Sequence, residues 1–290
     1  MYGECHAHII LDSVNYKNAV SLHQKEIQTS VIYQHFHAYL EKDIRFIRDG
    51  GDCYGVSQLA KTIAPSLGID YRTPVFAIHR AGHYGNIVGK SFQTMKEYTS
   101  LVLEVKKQGG DFIKIMTAGI MDFTTDGSIT GTDLPIEDVK EMIHIAHEEG
   151  FSVMVHTNGA SGIRNALLAG VDSIEHGNYI DPEDIALMKE TKTVWVPTLA
   201  AVYNLIGCKR FDDRILNSIW KTAKENIKMG FDAGVLFALG SDAGAYLVPH
   251  GQGLLDELTC FQRIITDETE LSSRLKEGEQ IIKDKFRKIS

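Results

Sequence analysis

The first chemistry in this chain lies in its opening dozen residues. His6 and His8 stand two apart at the start of a short apolar run. In a strand, alternate side chains share a face, so both imidazoles point one way and Cys5 and Ala7 the other. Two imidazoles on one face of a strand end can ligate a metal ion; they can equally cap or pack there. Further along, Lys114 lies inside the apolar stretch Phe112–Met116, His156 closes Phe151–His156, His176 closes Ser173–His176, and Asp242 follows Val235–Gly240. Each has an ordinary reading by itself. Lys114 could snorkel outward, His156 could be a satisfied core histidine, His176 could open a polar loop, and Asp242 could cap a helix. Ile113 and Ile115 flank Lys114, however, so alternation turns its ammonium to the opposite, interior face. There it needs a partner or a shifted pKa. All six groups together at successive strand ends would be a coincidence under those separate readings.

Such groups need a scaffold that gathers strand ends. The hydrophobic pattern predicts strands near His6, at Ile44–Arg48, Pro74–Ile78, Phe112–Met116, Phe151–His156, Ser173–His176, Thr193–Val196 and Val235–Gly240. Helices are expected between them over 16–41, 56–67, 94–107, 160–169, 182–190 and 212–233. Another follows Asp133 as cap and Pro135 in the first turn, with Val139, Met142, Ile143 and Ala146 at helical spacing and Gly150 as stop. Two more close the chain, over 253–265 and 268–287. Eight strands alternating with helices imply parallel strands and right-handed crossovers. Across about 265 residues this fits a (β/α)8 TIM barrel, whose usual size is about 250 residues. The competing doubly wound sheet is disfavoured, because no glycine-rich dinucleotide fingerprint follows the first strand. No linker divides the chain, so a single domain is expected over 1–290, with the barrel core at 3–258 and a helical tail at 259–290. The charged part of that tail, 268–288, reads as a solvated helix.

Barrel enzymes carry their catalytic groups at the C-terminal ends of the strands, which is where the six residues fall. Composition narrows the partners. A net charge of −8 argues against a nucleic-acid or anionic-membrane surface. No unbroken apolar run reaches the roughly 18 residues of a membrane span, and no secretory leader is legible. The four cysteines are scattered, which suits reduced thiols in a cytoplasmic protein. A small-molecule substrate is expected, and a homo-oligomer is possible.

The order His-x-His, Lys, His, His, Asp on strands one, four, five, six and eight resembles the amidohydrolase superfamily of metal-dependent hydrolases. The local wording, Cys5-His-Ala-His, Asp111-Phe-Ile-Lys-Ile-Met, His156-Thr-Asn-Gly, Ile174-Glu-His-Gly and Gly240-Ser-Asp-Ala-Gly, resembles its imidazolonepropionase- and prolidase-like branch. The resemblance implies that His6, His8 and Asp242 hold a more buried metal and that His156 and His176 hold a second. It implies that Lys114 is carboxylated by CO2 and that its carbamate bridges both ions. Such ligands suit zinc, with manganese, iron or nickel possible. Imidazolonepropionases and deaminases lack the bridging lysine, so Lys114 places the chain nearer the two-metal, prolidase-like type. Asp242 would then be the general acid and base, and His83 a donor to the tetrahedral intermediate, with Tyr84 and His79 behind it. Tyr84, Tyr203 and His250 are candidates for the substrate pocket, and Arg80 for a substrate carboxylate, although an ordinary surface role suits Arg80 as well.

The activity expected from this is binuclear hydrolysis of an amide: a dipeptide, an N-acyl amino acid or a cyclic amide. The alternatives are a deaminase or a lactonase or esterase on the same scaffold, or a catalytically weak metal-binding protein. Most relatives add a small β-sandwich, which has no counterpart in this pattern. The first strand is therefore expected to be the least supported part of the site.

Overall fold

The computed structural model describes residues 1–287. Its strands are β1 (Glu4–Ala7), β2 (Phe46–Asp49), β3 (Asp70–Arg72), β4 (Ala77–Arg80), β5 (Gly89–Phe92), β6 (Ile113–Met116), β7 (Val153–Thr157), β8 (Ser173–His176), β9 (Val194–Val196) and β10 (Leu236–Phe237). Its helices are α1 (Tyr16–His23), α2 (Thr29–Leu40), α3 (Val56–Ile63), α4 (Met95–Lys107), α5 (Ile136–Glu148), α6 (Ala160–Leu168), α7 (Pro182–Thr191), α8 (Ala200–Tyr203), α9 (Asp213–Ala233), α10 (Gln252–Gln262) and α11 (Glu268–Lys285).

Every pairing between these strands is parallel. β1, β2 and β3 form one run, and β10, β9, β8, β7, β6, β4 and β5 another. The two runs are halves of one barrel. β3 and β4 are successive parts of a single extended stretch, broken at Val75, whose φ is 70°. The first part pairs with β2 and the second with β6. At the other seam the chain after β10 returns to β1 through single backbone bonds, Cys5 N to Leu239 O at 2.9 Å and Asp242 N to His6 O at 2.9 Å. Eight barrel positions result, as expected, and β5 lies alongside β4 as an extra strand.

Local chemistry sets the helix ends. Thr94 and Glu97 make a reciprocal capping box for α4, and the Asp212 side chain accepts from Arg214 N to open α9. α5 buries the four residues its spacing picks out, Val139, Met142, Ile143 and Ala146. Two expectations are corrected. The long first helix is two helices, because the polar run after His23 carries no apolar stripe and the His23 ring accepts from Gln28 N at 3.2 Å, turning the chain. Asp133 does not cap α5; its carboxylate accepts from Gly162 N and Ser161 at the start of α6.

The largest correction concerns the tail. α11 is not a free solvated helix. It buries Leu271, Leu275, Gly278 and Ile282, and Phe286 behind it is fully buried. It lies across the N-terminal end of the barrel, where Ile282 and Phe286 join Phe46, Phe112, Met154, Val194 and Val196 in one apolar cluster. The approach is so close that any Cβ at Gly278 would sit 2.0 Å from the Phe237 carbonyl oxygen. The helix also holds strand one, since Gly3 N donates to Glu279 Oε2 at 2.9 Å. Glu4 accepts from Ser241 N and Ser241 Oγ at 2.8 and 2.6 Å, and at the far end of β1 His8 N donates to Ala243 O at 2.8 Å. The first strand is thus tied at both ends. Lys288 lies outside the described residues.

Candidate metal centre

Strand positions and the residues that follow the strand ends carry the six residues to one end of the barrel, with left-handed backbone at His176 and Asp242. His6 leaves β1, Lys114 sits in β6, His156 in β7 and His176 at the end of β8, while Asp242 follows β10. The structure brings all six together. His6 Nε2 and His8 Nε2 each lie 3.4 Å from Asp242 Oδ1, and ligand atoms of these three residues fall within 4.8 Å of one another. Lys114 Nζ is 3.4 Å from His6 Nε2. The His176 ring is 5.1 Å from His6 and 4.6 Å from His156, centroid to centroid.

Each histidine nitrogen that faces away from the cluster has a partner, with one exception. His6 Nδ1 donates to Glu175 Oε2 at 2.7 Å, and His156 Nε2 donates to Gly119 O at 3.1 Å. His176 Nδ1 meets Thr198 Oγ1 at 2.7 Å. A carboxylate and a carbonyl can only accept, so His6 Nε2 and His156 Nδ1 keep their lone pairs. Outer partners of this kind fix ring and tautomer in metal-ligating histidines. The exception is His8 Nδ1, buried without a partner, against a backbone so close that a Cβ on Gly50 would lie 2.2 Å from the ring.

The backbone is also unusual here. His176, Thr198 and Asp242 have φ of 64°, 53° and 62°. Left-handed conformation is costly for residues with a Cβ and tends to gather at functional sites.

Burial dominates the electrostatics. It lowers the His6 and His176 rings well below the usual histidine range, and takes His8 and His156 to about 3, with the nearby Lys114 charge adding to the effect. It brings Lys114 down to about 8, opposed by Glu175 and Asp242. It pushes Asp242 up to about 7 against the pull of Lys114. Four neutral imidazoles, a weakened ammonium and a reluctant carboxylate are a poor set of neighbours for one another and a good donor set for a divalent ion. The residues present therefore fit a metal.

Five of the six residues, with His6 buried behind them, line a cavity of about 610 Å³. Its walls include Tyr84, Met121, Phe123, Asn158, Val202, Leu205, Phe211 and Tyr246, and its cations are Lys17, Lys114 and Arg210. Asp242 is the one acid among the lining residues.

Residues 20–273 match the Amidohydrolase family. The chain belongs to the amidohydrolase family. An uncharacterized protein of Mycobacterium tuberculosis is 31% identical over 132 residues, which is 43% of this chain and 35% of that protein. Ochratoxinase of Aspergillus niger is 27% identical over 143 residues, 47% of this chain and 29% of the enzyme. The chain thus matches about a third of the length of these curated relatives. The crystal structure of a Xaa-Pro dipeptidase with bound methionine in its active site superposes with a TM-score of 0.79 at 22% identity, over 97% of this chain and 75% of that one. This likeness shows the barrel fold.

Within this amidohydrolase barrel, the other expected site residues separate. Tyr84 lines the cavity, its ring 5.0 Å from that of His156. His83 does not; its Nδ1 donates to Thr132 O at 3.2 Å, outside the lining. His79 lies buried beneath the loop, its Nδ1 on Arg80 O. Tyr203 packs on Trp220 at 4.9 Å with Arg263 over its ring, on the outer side of α8. His250 is a structural tie, its Nε2 donating to Leu11 O and its Nδ1 accepting from Tyr39. Arg80 pairs with Asp138 and is committed there. Sequence reading missed Arg210, Tyr246 and Asn158, which lie in loops with no periodic pattern, and Glu175, which orients His6. Glu175 had a usable sign: an acid two residues from Ser173 on the inward face of an apolar strand.

Proposed function

We propose that the protein is a two-metal hydrolase of small amides, of the dipeptide or N-acyl amino acid type, working with zinc or a similar divalent ion. The observation that carries this reading is the convergence of His6, His8, Lys114, His156, His176 and Asp242 at one end of the barrel, where all but the buried His6 line one open cavity. His6, His8 and Asp242 would hold one ion and His156 and His176 the other, with Lys114 between them as a carbamate. The lowered Lys114 pKa supports that role: a neutral Nζ can add to the carbon of CO2 and release a proton to water, turning a buried cation into an anion. When bound, the ions supply a water acidified toward neutrality and a Lewis acid for the carbonyl.

The chain's own groups do the rest. Asp242 Oδ takes the proton of the attacking water and passes it to the leaving amine nitrogen. Tyr84, not His83, is the hydroxyl donor beside the reacting carbonyl, because it alone of the two lines the cavity. Asn158, its Nδ2 bound to Gly119 O at 3.0 Å, keeps the loop that orients His156 in place. At the mouth, Arg210, rather than the Asp138-paired Arg80, is the cation for a substrate carboxylate. Its guanidinium lies over the Tyr246 ring at 4.6 Å, in a lining with no competing acid but Asp242, and it would meet a substrate carboxylate. The apolar wall of Met121, Phe123, Val202 and Leu205 suits an aliphatic or aromatic side chain.

The test is metal stoichiometry by elemental analysis, joined to a panel of dipeptides, N-acyl amino acids, lactones and heterocycles. Two ions per chain with turnover of amides is the expected result. Two ions with turnover only of lactones or heterocycles, or with none, would overturn it.

A further inference from the structure

A buried polar line runs down the barrel axis from the site to the opposite end. Glu175 Oε2 accepts from His6 Nδ1 at 2.7 Å, and Glu175 Oε1 accepts from Arg48 Nη2 at 2.7 Å and from Ser173 Oγ at 2.6 Å. Arg48 Nη1 donates to Ser173 Oγ at 2.9 Å and Arg48 Nε to Cys5 O at 2.6 Å. His6, Glu175 and Arg48 are each 0% exposed. Beyond Arg48 comes the tail: the guanidinium lies 4.5 Å from the centre of the Phe286 ring and 6.0 Å from that of Phe112.

Burying an arginine and a glutamate in a barrel core is expensive unless every donor and lone pair is used. Here both carboxylate oxygens are used, and the guanidinium is held on three sides and faced by an aromatic ring. An apolar pair could fill the same space, so filling alone does not account for the charges. What a carboxylate does that a leucine cannot is hold His6 as its Nδ1–H tautomer.

We propose that Arg48, Glu175 and the C-terminal helix act together as the positioning device for His6: Glu175 fixes the ring, Arg48 fixes Glu175, and Phe286 keeps the pair dry. Metal affinity at the open end of the barrel therefore depends on the helix that seals the other end. This rests on the reading of His6 as a ligand, and not on any substrate. Mutation of such outer partners typically costs about 10–100-fold in metal affinity.

The test uses the full chain and zinc. Chelator competition gives the zinc affinity, and nitrogen-15 NMR of histidine in the metal-free protein reports the His6 tautomer directly. Glu175→Gln is expected to weaken zinc binding about 10–100-fold and to shift His6 away from its single Nδ1–H form. Arg48→Met should do the same to a smaller extent. Should Arg48→Met fail to fold, Phe286→Leu keeps the seal apolar but removes the ring, and is expected to weaken zinc several-fold. Folded Glu175→Gln with wild-type zinc affinity and an unchanged tautomer would overturn the proposal. Wild-type affinity in folded Phe286→Leu would remove the tail from it. A tautomer shift in the metal-free protein with no zinc binding in the wild type would instead sink the metal-centre reading and leave the positioning intact.

Discussion

The two ends of this barrel are built by opposite rules. At the C-terminal end, polar side chains converge with only long contacts among themselves: His6 Nε2 lies 3.4 Å from Lys114 Nζ and from Asp242 Oδ1, His8 Nε2 lies 3.4 Å from Asp242 Oδ1, and His8 Nδ1 behind them has no partner. At the N-terminal end, Phe46, Phe112, Met154, Ile282 and Phe286 close over Arg48, whose charge is fully met. One end is unsatisfied by its own chain and has a cavity above it; the other is satisfied and has a helix across it. Groups that gather this closely and meet one another only at 3.4 Å are what a ligand site requires. The closed end shows that this chain can satisfy buried charge where it has no ligand to bind.

If that contrast is real, substitutions at the two ends should fail differently. The largest effect is expected from Asp242→Asn, which keeps the volume and removes the proton carrier. It should lower kcat by about 10²–10⁴-fold and leave urea unfolding little changed. An unchanged kcat would remove Asp242 from the acid–base role. Ile282→Ala in α11 should do the reverse. It opens a cavity in the sealed end, costing about 2–5 kcal/mol by urea denaturation, with kcat per folded molecule at saturating zinc within a few-fold of wild type. A cost below about 1 kcal/mol would show that the helix is not the seal. A subtler break is expected from Arg210→Met at the cavity mouth. Losing one charged hydrogen-bond partner is worth about 1.5–3 kcal/mol, so kcat/KM for a carboxylate-bearing substrate should fall about 10–100-fold, mostly in KM. Its preference over the same substrate as an amide should collapse, whereas Arg80→Met, already paired with Asp138, should keep that preference.

The open end was far more legible in the sequence than the closed one. Strand alternation alone places Lys114 inward, and the six ligand candidates share one strand end because a parallel barrel leaves them no other place. The fold followed from eight apolar segments spaced by helices. What stayed hidden depends on contacts distant in sequence. Arg48 and Glu175 are 127 residues apart, and nothing local to either announces the other. The charge of α11 points to solvent exposure; its buried stripe is only Leu271, Leu275, Gly278 and Ile282 with the buried Glu279 beside them, and its polar residues hide it. Loop position alone points His250, Tyr203 and Arg80 to the pocket. Loop position sets where a backbone passes, but packing decides which way each side chain turns, and these three turn to Tyr39, Trp220 and Asp138. The break at Val75 was invisible for a related reason, since no pattern marks a β-branched residue at φ 70°.

The smallest predicted effect compares two buried glutamates directly. Glu175 is met by Arg48, Ser173 and His6. Glu257, in α10 at the loop end, accepts from Ala200 N at 2.7 Å through Oε2 while its Oε1 has no partner. Burial therefore pushes Glu257 from 4.5 up to about 8, partly offset by the backbone donors of Ala200 and Leu199. An acid whose folded pKa exceeds its unfolded one binds its proton more tightly in the native state. Its contribution to stability is complete below about 4.5 and is lost as pH rises toward about 8. Within that window each pH unit can cost up to about 1.4 kcal/mol per proton, and relaxation of the site will reduce it. Glu257→Gln keeps the acceptor for Ala200 N and cannot ionise. The variant should match wild type near pH 5 in urea denaturation and exceed it by about 1 kcal/mol or more near pH 8. Equal slopes for the two proteins between pH 5 and 8 would mean that Glu257 is already met by a partner in solution, and that the open end leaves fewer groups unsatisfied than its geometry indicates.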